Sequence, residues 1–340
     1  MTVQWAICFI GVATAVICLA IWAFARHRRP AAVPDANPGL IQPDTPPGPP
    51  GSVSPAMVGA LLDGTVGPRD LFLTVIDLAV RGYLRLTPLT GDDAEAYDWA
   101  LRRTDKPARG LRDFEATLLD APVAAGKSGP TATLSSLIGD AQDALAKGLA
   151  ELRGAVARAG WFTDSGPTGQ RRASWAAGGS IVLLLGLAGA AVALVSGFSV
   201  TPWPGLIGAA LIVASGILLV SLSRLRPTTT PAGDRTRGQV QRYRTWLEGL
   251  QPQDITPDTA GALFDNNIVP ALAFSLENTF AAVFDTASTR YRNWGGALAI
   301  ATDWLETPVE DLAGRVRLLD QLLDDAVRLT RRAGLDEPDD

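Results

Sequence analysis

The stretch from Ala173 to Ser223 carries no charged side chain, and it constrains the fold more than any other feature of the sequence. A helix that crosses the roughly 30 Å hydrocarbon layer of a bilayer needs about 20 apolar residues, and this stretch has room for two. Its middle, residues 196–205, is rich in glycine, proline and serine and predicts a short turn. We therefore predict a transmembrane hairpin over residues 173–223, with helices at about Ala173–Ser196 and Gly205–Ser223.

A second uncharged run, from Trp5 to Ala25, is also long enough to cross a bilayer and is followed by the basic cluster Arg26-His27-Arg28-Arg29. A secretory signal peptide carries its positive charge before the apolar run, whereas here the charge follows it. Residues 1–25 are therefore predicted to form a third transmembrane helix. Ala23-Phe24-Ala25 matches a cleavage site, which leaves processing open as an alternative.

Arginines flank all three predicted spans on the same side. They are Arg26, Arg28 and Arg29, then Arg171 and Arg172, then Arg224 and Arg226. The positive-inside rule places this side in the cytoplasm. The sequence thus predicts a multi-pass protein of the plasma (inner) membrane, with its N-terminus outside and its large polar segments in the cytoplasm. Trp175 and Trp203 are expected at opposite membrane interfaces, where aromatic residues concentrate.

Small residues recur at four-residue spacing in the predicted hairpin. The pairs are Gly186 and Ala190, Gly189 and Ala193, Gly205 and Ala209, and Ala210 and Ala214. Such spacing lets helices approach closely, either within the hairpin or across a dimer face. No predicted span holds an ionisable residue or an internal proline, so the sequence marks of an ion path or a broken transport helix are missing.

Residues 26–52 are basic and then rich in proline and glycine, which predicts an extended linker. Residues 53–172 are predicted to form one cytoplasmic domain. Ser54 followed by Pro55 is typical of a helix start, and that helix is expected to stop at Asp63-Gly64. A second helix, Pro68–Gly82, is apolar almost all round and is therefore expected to be buried.

Two apolar segments follow, Tyr83–Thr87 and Tyr97–Leu101, and flank an acidic turn. Their pattern predicts a β-hairpin, and two helices followed by a hairpin give the outline of a winged helix. Amphipathic helices are then predicted at Leu111–Leu119 and Leu134–Ala159.

Residues 224–340 are predicted to form a helical cytoplasmic portion. Thr307-Pro308-Val309-Glu310 fits a capping box, and an apolar face follows at three- and four-residue spacing. This face is Val309, Leu312, Val316, Leu319, Leu323 and Ala326. It is expected to pack on its own domain or to drive self-association. The predicted fold class is thus a mainly α integral membrane protein with three transmembrane helices, a winged-helix-like α+β cytoplasmic domain and a helical C-terminal cytoplasmic portion.

The residues needed for common catalytic and metal sites are missing. His27 is the only histidine, and both cysteines, Cys8 and Cys18, lie in the first apolar run. Neither a Ser-His-Asp triad nor a Cys-His pair can be built from this set. The acidic pairs Asp92-Asp93 and Asp324-Asp325 are typical of solvated faces. We therefore predict no catalytic, cofactor-binding or metal-binding residues and no enzymatic activity.

Two weaker motifs point to nucleotides and to DNA. Residues 121–128 fit a relaxed phosphate-loop pattern, but a predicted helix precedes them where the motif requires a buried strand. The second helix of the winged-helix outline offers only Arg69 and Arg81 as readers of base edges. With a formal net charge of -5, the chain gives no general attraction to nucleic acid, and a nucleic-acid partner is not expected.

Asp63-Gly64, Pro68-Arg69-Asp70 and Asp77–Leu84 together resemble the cytoplasmic domain of the YciQ-like family of predicted membrane proteins of unknown function. Phe114-Glu115, Leu118-Leu119, Leu134–Leu137 and Gly160-Trp161-Phe162 continue the resemblance, which covers about Ala56 to Phe284 and includes the hairpin. Members commonly carry a β-rich extracytoplasmic region before the first helix, which the few residues here do not provide. They also tend to show a Leu-Pro-Tyr-Ala signature where this chain has Ile268–Phe274. The resemblance implies an architecture and no activity.

These observations predict a non-enzymatic interaction or scaffold module at the cytoplasmic face of the membrane. Its partners would be the lipid bilayer and either an unidentified protein or a second copy of the chain. The alternative is a membrane-bound signalling or transcription-linked regulator that uses the winged-helix-like domain.

Overall fold

The structure is a computed structural model that describes residues 2–27, 53–90, 96–125, 131–162, 169–196, 203–223 and 229–334, except 295, 297, 299, 301 and 310. The elements in these ranges are, in chain order, α1 (Thr2–His27), α2 (Pro55–Asp63), α3 (Pro68–Val80), β1 (Leu84–Thr90), β2 (Ala96–Arg103), α4 (Asp113–Ala125), β3 (Thr131–Thr133), α5 (Leu134–Asp140), α6 (Gln142–Arg158), α7 (Gly169–Ser196), α8 (Trp203–Ser223), α9 (Pro231–Glu248), α10 (Ala260–Ala273), α11 (Glu277–Asn293) and α12 (Leu312–Arg332). The chain divides into two compact units. Unit 1 is Met1–Pro34 with Thr168–Thr228, and unit 2 is Asp35–Pro167 with Thr229–Asp340.

Unit 1 contains α1, α7 and α8, and α8 packs against both other helices. Among the residues that the structure describes, no helix combines the length and the apolarity that a membrane crossing requires. This finding contradicts the predicted three transmembrane helices, because a run without charged residues meets only part of that requirement. Several predicted features lie outside the described residues. They are residues 197–202 of the turn predicted at 196–205, most of the linker 26–52, the flanking arginines beyond α1 and α8, and the side chains of Trp175 and Trp203.

The helices of unit 1 approach closely at small residues. A Cβ atom on Gly11 would overlap the backbone of Gly208, so α1 and α8 touch there. A Cβ atom on Gly186 would lie 2.7 Å from Cγ2 of Val213, so α7 and α8 also approach closely. Packing within the unit, one of the two expectations for these small residues, therefore accounts for Gly186.

The sheet of unit 2 has the order β1-β2-β3 with antiparallel pairing throughout. The predicted hairpin is confirmed, with Leu86 opposite Leu101. On the other edge of β1, Leu305 forms a parallel bridge with Leu86, although the sequence gives no strand signal there. The acidic turn with Asp92-Asp93 lies outside the described residues.

The first helix of unit 2 has its predicted ends, and the second begins at Pro68 as predicted but ends at Val80, two residues before the predicted Gly82. Ser54 is the N-cap of α2 with Pro55 at its first position, and Gly64 ends the helix in the left-handed conformation at φ 76°. α3 is mostly buried, as expected from its apolar surface. The helix predicted at Leu134–Ala159 is instead two, α5 and α6, because the backbone of Ala141 leaves helical geometry at φ -117° and ψ 32°.

The C-terminal helix begins later than predicted. Asp311 is the N-cap of α12, and its carboxylate accepts a hydrogen bond of 2.7 Å from the backbone N–H of Gly314. The capping box predicted at Thr307 is therefore wrong, since the carboxylate of Asp311 fills the same role four residues later. From Leu312 to Ala326 the predicted apolar face is buried in unit 2.

A single cluster of buried side chains runs through unit 2 and draws on both sides of the chain's long insertion, from Val53 to Trp161 and from Val240 to Ala326. The segments that the sequence separates as 53–172 and 224–340 thus share one core. α12 packs against α3 and α11, and α10 packs against α2 and α3. This packing fixes the position of the sheet relative to the segment Trp304–Glu306, called the edge segment below, which runs along the edge of β1.

Candidate functional site

Two clusters of polar side chains in the described part of unit 2 connect secondary-structure elements, and neither was predicted as a site from the sequence. The first place is the Glu306 cluster, made of Arg85, Thr87, Arg102 and Glu306. The second is the motif cluster, made of Asp77, Arg81 and Glu115. Among the described residues no group of histidine, cysteine and acidic side chains is arranged to hold a metal ion.

The Glu306 cluster begins with two like charges. Arg85 on β1 lies directly opposite Arg102 on β2, a pairing that repels unless an anion intervenes. Glu306 supplies that anion. Its Oε1 accepts hydrogen bonds from Nη1 of Arg85 at 3.0 Å and from Nη2 of Arg102 at 2.8 Å, and its Oε2 accepts one from Oγ1 of Thr87 at 3.1 Å.

Glu306 reaches this position because its segment runs along the edge of β1. The backbone N–H of Leu86 donates to the carbonyl of Trp304 at 2.8 Å, and the N–H of Glu306 donates to the carbonyl of Leu86 at 2.8 Å. Trp304 anchors the segment, since its Nε1 donates to Oδ1 of Asp265 at 3.3 Å. The side chains of Trp304 and Leu305 are buried.

An open cleft of about 440 Å³ lies beside this segment. It is lined by Arg85, Ile300, Thr302, Asp303, Leu305, Glu306, Thr307 and Arg315. Arg315 fixes the far wall, because its Nε donates to the carbonyl of Val309 at 2.8 Å and its Nη1 donates to Oγ1 of Thr302 at 2.5 Å. The lining has two arginines, Arg85 and Arg315, and two acids, Asp303 and Glu306, so its formal net charge is zero.

The electrostatics of the cleft favour a structural role for Glu306. Hydrogen bonds from Arg85, and then from Thr87 and Arg102, lower the pKa of Glu306 below its ordinary value. A general acid or base needs a pKa near the working pH, which for a carboxyl group requires a shift in the opposite direction. Glu306 therefore stays ionised and holds the edge segment on the sheet.

The motif cluster links α3 to α4. Nη1 of Arg81 donates to Oδ2 of Asp77 at 2.8 Å and to Oε1 of Glu115 at 3.2 Å. The other oxygen of Glu115 accepts the backbone N–H of Arg112 at 2.9 Å and so caps the first turn of α4. Burial raises the pKa of Asp77, and the hydrogen bond from Arg81 offsets part of that rise.

The aromatic ring of Tyr83 completes this region. The guanidinium of Arg81 lies 5.4 Å from the ring centroid and the ammonium of Lys106 lies 4.6 Å from it, within the range of cation–π attraction. Nζ of Lys106 also donates to the carbonyl of Arg81 at 2.7 Å. These contacts tie the end of α3 and the start of β1 to the loop after β2.

The other residues that the sequence singled out are not brought together. Arg69 lies 3.8 Å from carboxylate oxygens of both Asp320 and Asp324 on α12. The first part of the phosphate-loop-like segment, up to Ala125, belongs to α4, and the rest lies outside the described residues. His27 ends α1, and its side chain is outside the described part of the chain.

The residues of the motif cluster coincide with the stretches that suggested a family in the sequence. Residues 47–284 match the model of a family described as predicted membrane protein (DUF2207), C-terminal domain. This match covers more than half of the chain. The chain belongs to the DUF2207 family. Comparison with curated proteins and with solved structures finds no match.

The DUF2207 match confirms the resemblance to a membrane-protein family of unknown function that the motif residues suggested. It includes the whole motif cluster, Arg85 and Arg102, together with the helices α7 and α8 of unit 1. It ends before Glu306 and α12. The family thus accounts for one side of the Glu306 cluster, and a segment beyond the match supplies the carboxylate.

Proposed function

We propose that this DUF2207 protein is a non-enzymatic interaction module that is held at the cytoplasmic face of the membrane by unit 1 and presents unit 2 to a protein partner. The family description as a predicted membrane protein supports the membrane part of this proposal. The two polar clusters support the non-enzymatic part, because their charged groups are used to join secondary-structure elements.

The observation that carries the proposal is the surface of unit 1. Large apolar side chains point outward, with Phe9 70% exposed and Val195 76% exposed, while the contacts between helices are made by small residues such as Gly11 and Gly208. Ile10, Val16, Ile17, Ile181, Leu184, Leu185 and Ile217 are also exposed. Water-soluble proteins bury most such side chains, and helix contacts built on small residues are typical of a lipid environment.

Basic residues in the last turn of α1 and the first turn of α7 support the cytoplasmic face. Arg26, Arg171 and Arg172 carry positive charge near the ends of these helices, and the cytoplasmic leaflet carries anionic lipids that attract such residues.

The contacts of α3 favour an interaction module over a DNA-reading regulator. A recognition helix presents its arginines to base edges. On α3 the guanidinium of Arg69 lies close to Asp320 and Asp324, and that of Arg81, just after the helix, is bound by two acids. The exposed apolar side chains of unit 2 give a protein partner a place to bind instead. Among the described residues of unit 2 the large apolar side chains that are exposed are Val123 and Trp294, the latter 67% exposed.

Two measurements on the full chain test the proposal. When cell membranes are separated by flotation, the protein should be found in the membrane fraction, and its recovery in the soluble fraction would contradict the membrane part of the proposal. A photo-crosslinking residue in place of Trp294 should give one adduct of defined mass in cells. The same residue in place of the exposed Lys147 is the matched control, and equal labelling at both positions would contradict a specific partner.

A further inference from the structure

Helix α9 carries a basic face that none of the clusters above uses. Its buried side, Val240, Tyr243 and Leu247, packs in the core of unit 2. Arg235, Gln239 and Arg242 are exposed and follow one another at spacings of four and three residues, so they share one face of the helix. The chain as a whole has a formal charge of -5, which makes this local positive surface distinctive.

The other two arginines of α9 are engaged within unit 2. Nη2 of Arg237 donates to the carbonyl of Leu62 at 3.0 Å, and Nε of Arg244 donates to Oε1 of Glu248 at 2.9 Å. The bond from Arg237 to Leu62 and the packing of the buried face of α9 in the core fix the rotation of this helix about its own axis. Arg235 and Arg242 consequently point away from the core of unit 2.

The start of α9 is held at the place where the chain enters unit 2. Phe162 and Thr229 form an antiparallel bridge. The backbone N–H of Thr230 donates to the carbonyl of Trp161 at 2.8 Å, and its Oγ1 donates to the carbonyl of Gly160 at 2.7 Å. Thr229 follows the last residue of α8, Ser223, by six residues, and six residues span at most about 20 Å. The chain therefore allows the start of α9 to lie within about 20 Å of a membrane that contacts the end of α8.

We propose that the exposed face formed by Arg235, Gln239 and Arg242 binds the anionic headgroups of the membrane to which unit 1 is attached. This inference rests on the membrane association proposed above. Guanidinium groups form paired hydrogen bonds with phosphate oxygens, and the amide of Gln239 adds a donor between them. Basic residues next to a membrane anchor bind anionic lipid through this attraction, which acts over about one Debye length.

The test uses the full chain in lipid nanodiscs. A fluorophore is attached to a Gln239→Cys variant in which Cys8 and Cys18 are replaced by alanine, and a quencher is placed on the lipid headgroups. Discs of neutral phosphatidylcholine are compared with discs that contain phosphatidylglycerol. We expect quenching to increase at least twofold in the anionic discs and to fall back in high salt.

Two charge-matched variants separate a specific face from a general charge effect. Arg235→Gln with Arg242→Gln should reduce quenching in anionic discs to the neutral level. Arg109→Gln with Arg332→Gln removes the same charge from two other exposed positions of unit 2 and should leave quenching unchanged. Equal losses in both variants would overturn the inference.

The outcomes also distinguish this inference from the proposed function. Association with neutral discs but equal quenching in both lipids would overturn the role of α9 and leave the membrane association intact. Failure to associate with any disc would overturn both. A crosslink from position 239 to an acidic protein, without quenching by headgroups, would assign the basic face to that protein and overturn the lipid inference.

Discussion

Arg81 at the end of α3 donates a hydrogen bond of 3.2 Å to Glu115 on α4, and the carboxylate is almost fully buried while the guanidinium is about one third exposed. The same guanidinium nitrogen also serves Asp77 on α3. One arginine thereby pairs with two carboxylates at the junction of α3 and α4. The family resemblance in the sequence is carried by these residues, which gives the motif a structural explanation.

Replacement of Arg81 by alanine should lower the free energy of unfolding by about 2–3 kcal/mol, because two buried acids would lose their cation. The partial exposure of Arg81 keeps the loss at the lower end of the range for broken buried pairs. Urea unfolding of the purified chain at neutral pH measures this change in the free energy of unfolding. Arg103→Ala removes an arginine that pairs with the exposed Asp120 and should cost less than about 1 kcal/mol. Equal losses would contradict a special role for Arg81.

The pH dependence of stability should report Asp77. Burial raises its pKa above the ordinary value of 3.8, so the folded state holds the proton more tightly than the unfolded state. The stabilisation from this protonation is complete below the unfolded pKa and is lost as the pH rises through the folded pKa. The stability of the wild type relative to Asp77→Asn should therefore fall as the pH rises above about 4 and then level off. A difference that does not change with pH would contradict the prediction.

The local features of unit 2 could be predicted from the sequence, and its long-range features could not. Alternation at Leu84 to Leu86 and the Gly64 helix end are local signals, and both are found in the structure. Asp77 and Arg81 stand four residues apart, at helical spacing, so the contact between two of the three residues of the motif cluster can be predicted from the sequence.

The Glu306 cluster and the start of α12 lacked such signals. Glu306 is 204 residues from Arg102, and it reaches the sheet through a short segment with no strand pattern. At the C-terminal helix the sequence predicted a cap at Thr307, whereas the structure has Asp311 as the N-cap, because the segment Trp304–Glu306 first runs along the edge of β1. The transmembrane prediction is wrong for another reason, since a run of residues without charge is not by that fact apolar enough to cross a membrane.

Replacement of Glu306 by glutamine should lower stability by about 0.5–1 kcal/mol at low salt, because Arg85 and Arg102 would face each other without an anion. Added salt should narrow the difference from the wild type, since it screens both the attraction and the repulsion. Thermal unfolding at two ionic strengths measures this difference in stability.

The same variant should also change the response to acid. The hydrogen bonds that lower the pKa of Glu306 stabilise the folded state above the unfolded pKa of 4.5, and this stabilisation is lost as the pH falls through the folded pKa. The stability of the Glu306→Gln variant should therefore decrease less in acid than that of the wild type.

The matched control for Glu306 is Asp303→Asn, which removes an exposed acid from the same edge segment and the same cleft. Asp303 lies outside the cluster that joins Glu306 to Arg85 and Arg102, so this variant should keep the salt response of the wild type. An identical change in salt response in both variants would contradict the pairing of Glu306 with the two arginines.

Replacement of Gly11 by leucine should disrupt unit 1, because even a Cβ atom at this position overlaps the backbone of Gly208. Overpacking of a close contact typically costs about 1–3 kcal/mol. Thermal unfolding in one detergent should show a lower midpoint for this variant. Val16→Leu enlarges an exposed apolar residue of the same helix and should leave the midpoint unchanged. A similar decrease in both variants would place the cause outside the contact between α1 and α8.

Replacement of Tyr243 by phenylalanine should lower stability by about 1–2 kcal/mol, because the buried Asn267 would lose its donor. Oη of Tyr243 donates to Oδ1 of Asn267 at 2.5 Å, and Nδ2 of Asn267 donates to the carbonyl of Leu263 at 2.6 Å. Burial raises the pKa of Tyr243, so the hydroxyl remains a donor at neutral and mildly alkaline pH. The matched comparison is Tyr243→Phe with Asn267→Leu, in which no polar atom of the pair remains. Urea unfolding should show a smaller loss for the double variant than the sum of the single losses, and strict additivity would show that the two side chains are not coupled.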